Sequence, residues 1–238
     1  MGASTVQLMP TCLAGEIRPE VAEAAVTLLR AMGLHVQVPR DVVCCGQPAF
    51  NAGFRPEARR VAKHDVARLR TTEGPIVLPS GSCAHTMTHA WGDLLDGTDD
   101  VAVRVHELSA FIVARGGLSH LRFRGSGRVA YHASCHLLRG MGIDDAPRAL
   151  LGAIEGMEVV ELERADECCG FGGSFSVERA SISSALADRK LAAIQDSGAE
   201  IVTGCDISCL LHLEGRIRRL RLPIRVVHLA QLLAESLA

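Results

Sequence analysis

Short apolar runs alternate with longer stretches of helical periodicity, and the order of these segments occurs twice along the chain. The run starting at Val6 leads through Pro10 and Thr11 to Cys12, and the run Val129-Ala-Tyr leads through His132, Ala133 and Ser134 to Cys135. Behind Pro19, which suits a first helical turn, Val21, Ala24, Ala25, Leu28, Leu29 and Met32 recur at helical spacing until Gly33 offers a C-cap. The second copy has Asp144 and Asp145 as candidate N-caps, then Pro147, Leu150, Leu151, Ile154 and Met157. Strands are expected next at 35–38 and 157–162, and helices at 57–70 and 178–195. Strands at 76–78 and 201–203 follow, then strands at 101–105 and 224–227 that end at His106 and His228, and each half closes with an apolar helix. This alternation predicts an α/β fold of two tandem repeated, doubly wound parallel-sheet (Rossmann-like) units related by pseudo-two-fold symmetry. The units span 1–116 and 128–238, with the glycine-rich stretch 117–127 as their linker.

The chemistry sits on the same duplication. Cys44-Cys45-Gly46 and Cys168-Cys169-Gly170 each stand inside a wider frame, with Cys12 and Cys83 around the first pair and Cys135 and Cys209 around the second. Only Cys205 lacks a counterpart, because the matching stretch of the first half reads Pro79-Ser80-Gly81-Ser82. Cysteines at strand carboxyl ends would converge in the crevice where such sheets bind ligands, beside the positive ends of helix dipoles that favour thiolates. Free cysteine is also among the most buried residue types, so a lone one would read as core. Eight in duplicated register point instead to a metal or an inorganic cluster.

Composition narrows the reading further. A chain of 238 residues that is 48% hydrophobic can build its cores without disulfides. Basic and acidic residues number 25 and 27, with no basic stripe for nucleic acid, and no run is long and apolar enough for an integral membrane segment. The expected setting is cytoplasmic, where thiols stay reduced and vicinal cysteines suggest metal or redox chemistry.

The doubled frame Cys, Cys-Cys-Gly, Cys resembles the cysteine-rich CCG-domain proteins. These include the heterodisulfide reductase B subunit, the glycolate oxidase iron-sulfur subunit and the lactate utilization A proteins, also described as L-lactate dehydrogenase iron-sulfur subunits. The phrases CCGQPAFNAG, SGSCAHTM, CCGFGGSFS and SCLLHLEGRI are most similar to the lactate utilization group, and the resemblance covers nearly the whole chain. It implies an iron-sulfur cluster, 4Fe-4S or non-cubane, held by Cys135, Cys168, Cys169, Cys205 and Cys209, although the last pair is spaced C-x3-C where the relatives' five-cysteine set ends in C-x2-C. Cys12, Cys44, Cys45 and Cys83 form a set of four that suits an iron-sulfur cluster or a tetrahedral zinc. The implied role is an electron-transfer subunit of a multi-protein oxidoreductase that oxidises L-lactate to pyruvate. The chain has no ferredoxin motif of the C-x2-C-x2-C-x3-C-P kind, so a ferredoxin-like iron-sulfur subunit and a further small subunit are the implied partners. Two alternatives stand beside this role: a thiol or disulfide redox subunit like heterodisulfide reductase, and a non-catalytic, zinc-stabilised interaction scaffold.

Several other residues invite a reading. Gly170-Phe171-Gly172-Gly173 is not a dinucleotide loop, since Phe175 stands where the last glycine belongs. His85, His132, His136 and His212 lie near frame cysteines and are expected to support the sulfurs by hydrogen bonds rather than to ligate. His106 and His228 are expected as equivalent caps at strand-to-helix junctions, and Arg216, Arg218, Arg219 and Arg221 as a solvated basic face.

Overall fold

A computed structural model describes residues 4–238. It contains two four-stranded sheets in which every pairing is parallel. The first sheet comprises β1 (Thr5–Leu8), β2 (His35–Gln37), β3 (Ile76–Leu78) and β4 (Val105–Glu107), in the order β2-β1-β3-β4. The second comprises β5 (Phe123–Tyr131), β6 (Ile154–Val160), β7 (Ile201–Gly204) and β8 (Arg225–His228), in the order β6-β5-β7-β8. Each half therefore has one strand order, which reverses between its first and third strands. β3 and β7 are buried at every position, as strands covered on both faces must be.

Helix Pro19–Ala31 buries the stripe Val21, Ala24, Ala25, Leu28 and Leu29, and Gly33 follows it at φ 76°, as the periodicity requires. Four segments differ from the pattern reading. Ile154 and Met157, read with the helix of the second copy, belong to β6, because that helix stops at Gly152. Val101 and Ala102 belong to the short helix Asp99–Ala102, and β4 starts later, at Val105. Asp144 occupies the N-cap position of helix Asp145–Gly152, but its side chain pairs with Arg148 at 2.7 Å instead of capping. The stretch 117–127 forms helix Gly117–His120 and then the first half of β5. Its glycines serve a bulge: the β5–β6 register shifts between Arg124 and Gly127, and Gly127 sits at φ 100°.

The halves share a core. Val6, Leu8, Leu28 and Leu29 belong to one buried cluster with Val129, Tyr131, Leu150, Leu151, Leu232 and Leu233. Helix Leu229–Glu235 packs on helix Pro19–Ala31, and helix Asp145–Gly152 packs on helix Leu108–Ala114. Two smaller clusters lie under the cysteine loops, one around Met9, Cys45, Cys83 and Trp91, the other around Ala130, Leu162, Cys169 and Cys209. Among the described residues no helix is long and apolar enough to cross a membrane.

Candidate metal centre

Cys12 begins a helix just beyond β1 and Cys83 lies in the helix just beyond β3; Cys135 and Cys209 hold the same places beyond β5 and β7. Each pair thus flanks the point where its sheet reverses strand order, the usual ligand crevice of such sheets. The Cys-Cys-Gly loops arrive over these crevices. Gly46 (φ 84°) and Gly170 (φ 93°) make the turn, and a Cβ at Gly170 would stand 2.4 Å from the Ser183 carbonyl.

In the first half the Cys12 and Cys44 sulfurs are 3.6 Å apart, and thiol contacts continue from Cys44 to Cys45 and on to Cys83. The second half repeats the row as Cys135, Cys168, Cys169 and Cys209. Seven of these eight residues, all but Cys44, line one cavity of about 300 Å³, together with Ser80, Ser82, Ser134, His136, Phe171 and Asp206. Eight of the nine sequence-predicted cysteines are therefore gathered into two quartets that open on a shared space.

Acidities alternate along the second row and over the first three sulfurs of the first. Hydrogen bonds from Cys12 and Cys45 pull Cys44 down to about 3, while its bond to Cys44, together with burial, pushes Cys12 up. Bonds from Cys135 and Cys169 pull Cys168 down to about 2; Cys169 is pushed up by its bonds to Cys168 and Cys209. Cys209 falls to about 6, through Cys169 first and His132 as well. Such alternation arises when each thiolate is held by protonated neighbours and like charges repel. Among the described residues no Lys or Arg lies on the cavity wall. Ionising four sulfurs together needs a cationic centre among them, and four soft donors in one pocket fit an iron-sulfur cluster or zinc.

The surroundings of the quartets differ. Cys44 Sγ accepts from Gly46 N at 3.4 Å, and Cys168 Sγ from Gly170 N at 3.3 Å, a shared feature. The second quartet alone adds Phe171 N to Cys169 Sγ at 3.5 Å. His132 stands with Cys169 and Cys209, its ligand atoms within 4.8 Å of theirs. His136 faces Cys135 Sγ through Nδ1 at 3.6 Å while Gln47 Nε2 meets its Nε2 at 3.2 Å. With the amide as donor, Nε2 accepts and Nδ1–H points at sulfur. His85 stacks on His89 and meets the His136 ring edge-on, and His212 bonds Ser183, whose hydroxyl donates to the Gly170 carbonyl. Arg216 and Arg218 are held by Asp188 and Glu214.

Cys205 is not brought into the quartet. It is 1% exposed, lies in the shared core near Tyr131 Oη at 3.9 Å, and lines a separate small pocket with Glu107, Ser109 and His228. There the duplicated caps are Glu107 and His228, rather than His106 and His228. Glu107 accepts from Ser109 N at 2.8 Å and Ala110 N at 3.2 Å, and His228 Nδ1 accepts from Ala230 N at 3.1 Å. His106, one position earlier, packs on the Phe111 ring.

These two caps make a prediction about acid stability. Burial raises Glu107 from 4.5 to about 7 and lowers His228 from 6.5 to about 4, so both are neutral in the folded chain across pH 4.5–6.5. Unfolding in that window ionises Glu107 and protonates His228, and the two proton terms cancel. Glu107→Gln removes one term. The variant then loses stability as pH falls from 6.5 toward 4, by up to about 3 kcal/mol, because the unfolded histidine binds the extra proton. Urea denaturation at several pH values tests this; parallel curves for the two proteins would refute it.

Sequence reasoning missed Asp206, Asp65 and Lys190. Asp206 is 2% exposed, and its carboxylate accepts from Ser80 Oγ at 2.9 Å, Ser82 N at 3.0 Å and Ser134 Oγ. It occupies the N-cap position of helix Ile207–Leu220, as Ser80 does for helix Gly81–His85. Its place in the doubled frame, opposite Ser80, was the available signal. Asp65 and Lys190 left none, since polar residues on helices read as exposed.

The doubled pattern is matched among known proteins. The family model described as a cysteine-rich domain, CCG, matches residues 6–88 and again 129–214. Lactate utilization protein A of Anoxybacillus flavithermus is 40% identical over 235 residues, 96% of this chain and 98% of that one. Lactate utilization protein A 2 of Bacillus cereus is 35% identical over 240 residues, 98% and 99% of the two chains. Among solved structures, glutamate racemase RacE1 of Bacillus anthracis is similar at 11% identity and a TM-score of 0.38, covering 98% of this chain and 79% of that one. By both the repeated match and these full-length relatives, the chain belongs to the CCG cysteine-rich domain family, in the group of the lactate utilization A proteins.

Proposed function

We propose that this protein is the iron-sulfur electron-transfer subunit of a multi-protein oxidoreductase that oxidises L-lactate to pyruvate. The observation that carries the reading is the gathering of two cysteine quartets onto one cavity. Cys135, Cys168, Cys169 and Cys209 would hold an iron-sulfur cluster, and Cys12, Cys44, Cys45 and Cys83 an iron-sulfur cluster or zinc. A thiolate-held cluster, when bound, supplies one-electron transfer. The chain's own residues do the rest. Gly46 N, Gly170 N and Phe171 N donate to sulfur and stabilise its charge, and Phe171, Leu13 and Ile207 line the cavity and exclude water from it. A ferredoxin-like iron-sulfur subunit and a further small subunit complete the assembly in this reading, in a cytoplasmic setting.

The test is co-purification with the neighbouring gene products under anaerobic conditions, followed by iron, zinc and sulfide analysis and a lactate-dependent dye-reduction assay. Iron with equimolar sulfide and lactate-dependent turnover are expected. Stoichiometric zinc without sulfide would replace this reading with that of a scaffold.

A further inference from the structure

The helix after each Cys-Cys-Gly loop sends one buried charged side chain back to fasten that loop, and the two charges are opposite. In the first half Asp65, fully buried on helix Arg55–Leu69, accepts from Val43 N at 3.1 Å and from Cys44 N at 3.0 Å, with His64 Nδ1 at 2.9 Å. The two backbone N–H donors and the neighbouring imidazole favour the carboxylate form, against burial, which raises its pKa. In the second half Lys190, 1% exposed on helix Ala180–Asp196, donates to the Arg164 and Ala165 carbonyls, both at 3.0 Å. One task, anchoring the approach to the paired cysteines, is done in two chemistries. The fold does not demand either sign.

Other differences run the same way. At matching places in the frame the first half has Met9 and Leu13 where the second has His132 and His136, both turned to sulfur. Phe171 N gives the second quartet an N–H···S contact beyond the pair common to both. Asp206 opposes the trend, since its charge is felt by Cys135 and Cys209. Asp206 sits between the halves, bonded to Ser80 and Ser82 N of the first and to Ser134 of the second, so the buried charges that distinguish the quartets are Asp65 beside the first and Lys190 beside the second. Exposure does not separate the two: in each half the first two cysteines of the row are partly exposed and the last two buried. Reduction adds negative charge, which a nearby cation and N–H donors to sulfur favour and a nearby carboxylate disfavours.

We propose that Asp65 and Lys190 polarise the pair of quartets, making the second the electron sink and the first the lower-potential site, so that electrons within this chain run from the first half to the second. This rests on the reading above, taken with iron-sulfur centres in both quartets. Asp65 and Lys190 are positioning residues that act through the loops and the field, Asp65 through the backbone N–H of Cys44 and Lys190 through the carbonyls of the loop before Cys168.

The experiment is a potentiometric titration of the full chain, reconstituted anaerobically and followed by electron paramagnetic resonance, with Cys45→Ser and Cys169→Ser assigning the two signals. The second-half signal is expected to have the higher midpoint. Lys190→Met should move that signal alone to lower potential, Lys190→Arg should restore it, and Asp65→Asn should move the first-half signal alone to higher potential. The wild-type order needs no variant to fold, so it stands as a test by itself. Two iron centres with equal or reversed midpoints, or a Lys190→Met protein with both midpoints unmoved, would overturn the polarity and leave the iron-sulfur reading intact. A first quartet filled with zinc would overturn the polarity alone, since the reading above admits zinc there, and the metal analysis reveals that before any titration.

Discussion

Cys169→Ser is expected to strip the iron from the second quartet and to lower lactate-dependent dye reduction by at least about 100-fold, more than the 10- to 100-fold typical of losing an outer-shell partner. Cys169 is 2% exposed and stands between Cys168 and Cys209 in the row, so its loss divides the set rather than trimming an end. Serine offers a hard, poorly ionised oxygen on a shorter arm, and a soft site built for thiolates cannot use it. The informative companion is Cys205→Ser. That thiol lies near Tyr131 Oη, 3.9 Å away, and lines the pocket of Glu107 and His228 instead of the shared cavity. Iron and sulfide content should therefore survive Cys205→Ser almost unchanged. If both variants lose their iron, the bound state recruits the five-cysteine set that the family resemblance implies. If neither does, the second quartet is not the site.

Much of this site was legible before any coordinates. The quartet positions follow from a frame that repeats with nearly the same spacing, and repetition separates chemistry from the ordinary burial of thiols. Helix Pro19–Ala31 and β3 were legible for simpler reasons: a clean apolar stripe behind a proline, and three apolar residues bounded by Pro75 and Pro79. What stayed hidden depends on how the halves meet. That both quartets open on one cavity follows from Gly81 lying against Leu137 and Gly140 against His85, contacts with no periodicity. A Cβ at Gly81 would stand 2.6 Å from the Leu137 side chain, so the close crossing needs glycine there. The stretch 117–127 misled because glycine at a bulge and glycine in a flexible joiner look alike in a sequence. Lys190 gave no signal because nothing in the sequence marks a lysine among Ala187, Leu191 and Ile194 as buried, yet its ammonium reaches two carbonyls of a loop over 20 residues earlier.

Asp206→Ala is expected to cost about 3–5 kcal/mol, because it strands three donors that a single buried carboxylate now satisfies. Ser80 Oγ and Ser134 Oγ are 4% and 2% exposed as residues, and Ser82 N lies in the first turn of helix Gly81–His85, so water cannot readily replace the lost acceptor. For a chain of this length that corresponds to a melting temperature lower by about 10 °C. The measurement belongs on reduced, metal-free protein under anaerobic conditions, since a bound centre would stabilise the folded state by mass action and mask the loss. Asp206→Asn separates charge from hydrogen bonding. Its carbonyl oxygen can still accept from Ser80 and Ser82 N, while Ser134 can turn its hydroxyl to accept from the amide, so the expected cost falls to about 1–2 kcal/mol. The larger loss in the alanine variant would show that this carboxylate clasps the halves together where they bring their sulfurs to the common cavity. It begins the helix that carries Cys209 and, from the other side, holds the start of the helix that carries Cys83. Equal, small losses in both variants would mean that the shared core of Leu28, Leu29, Leu150 and Leu232 sets that arrangement without it.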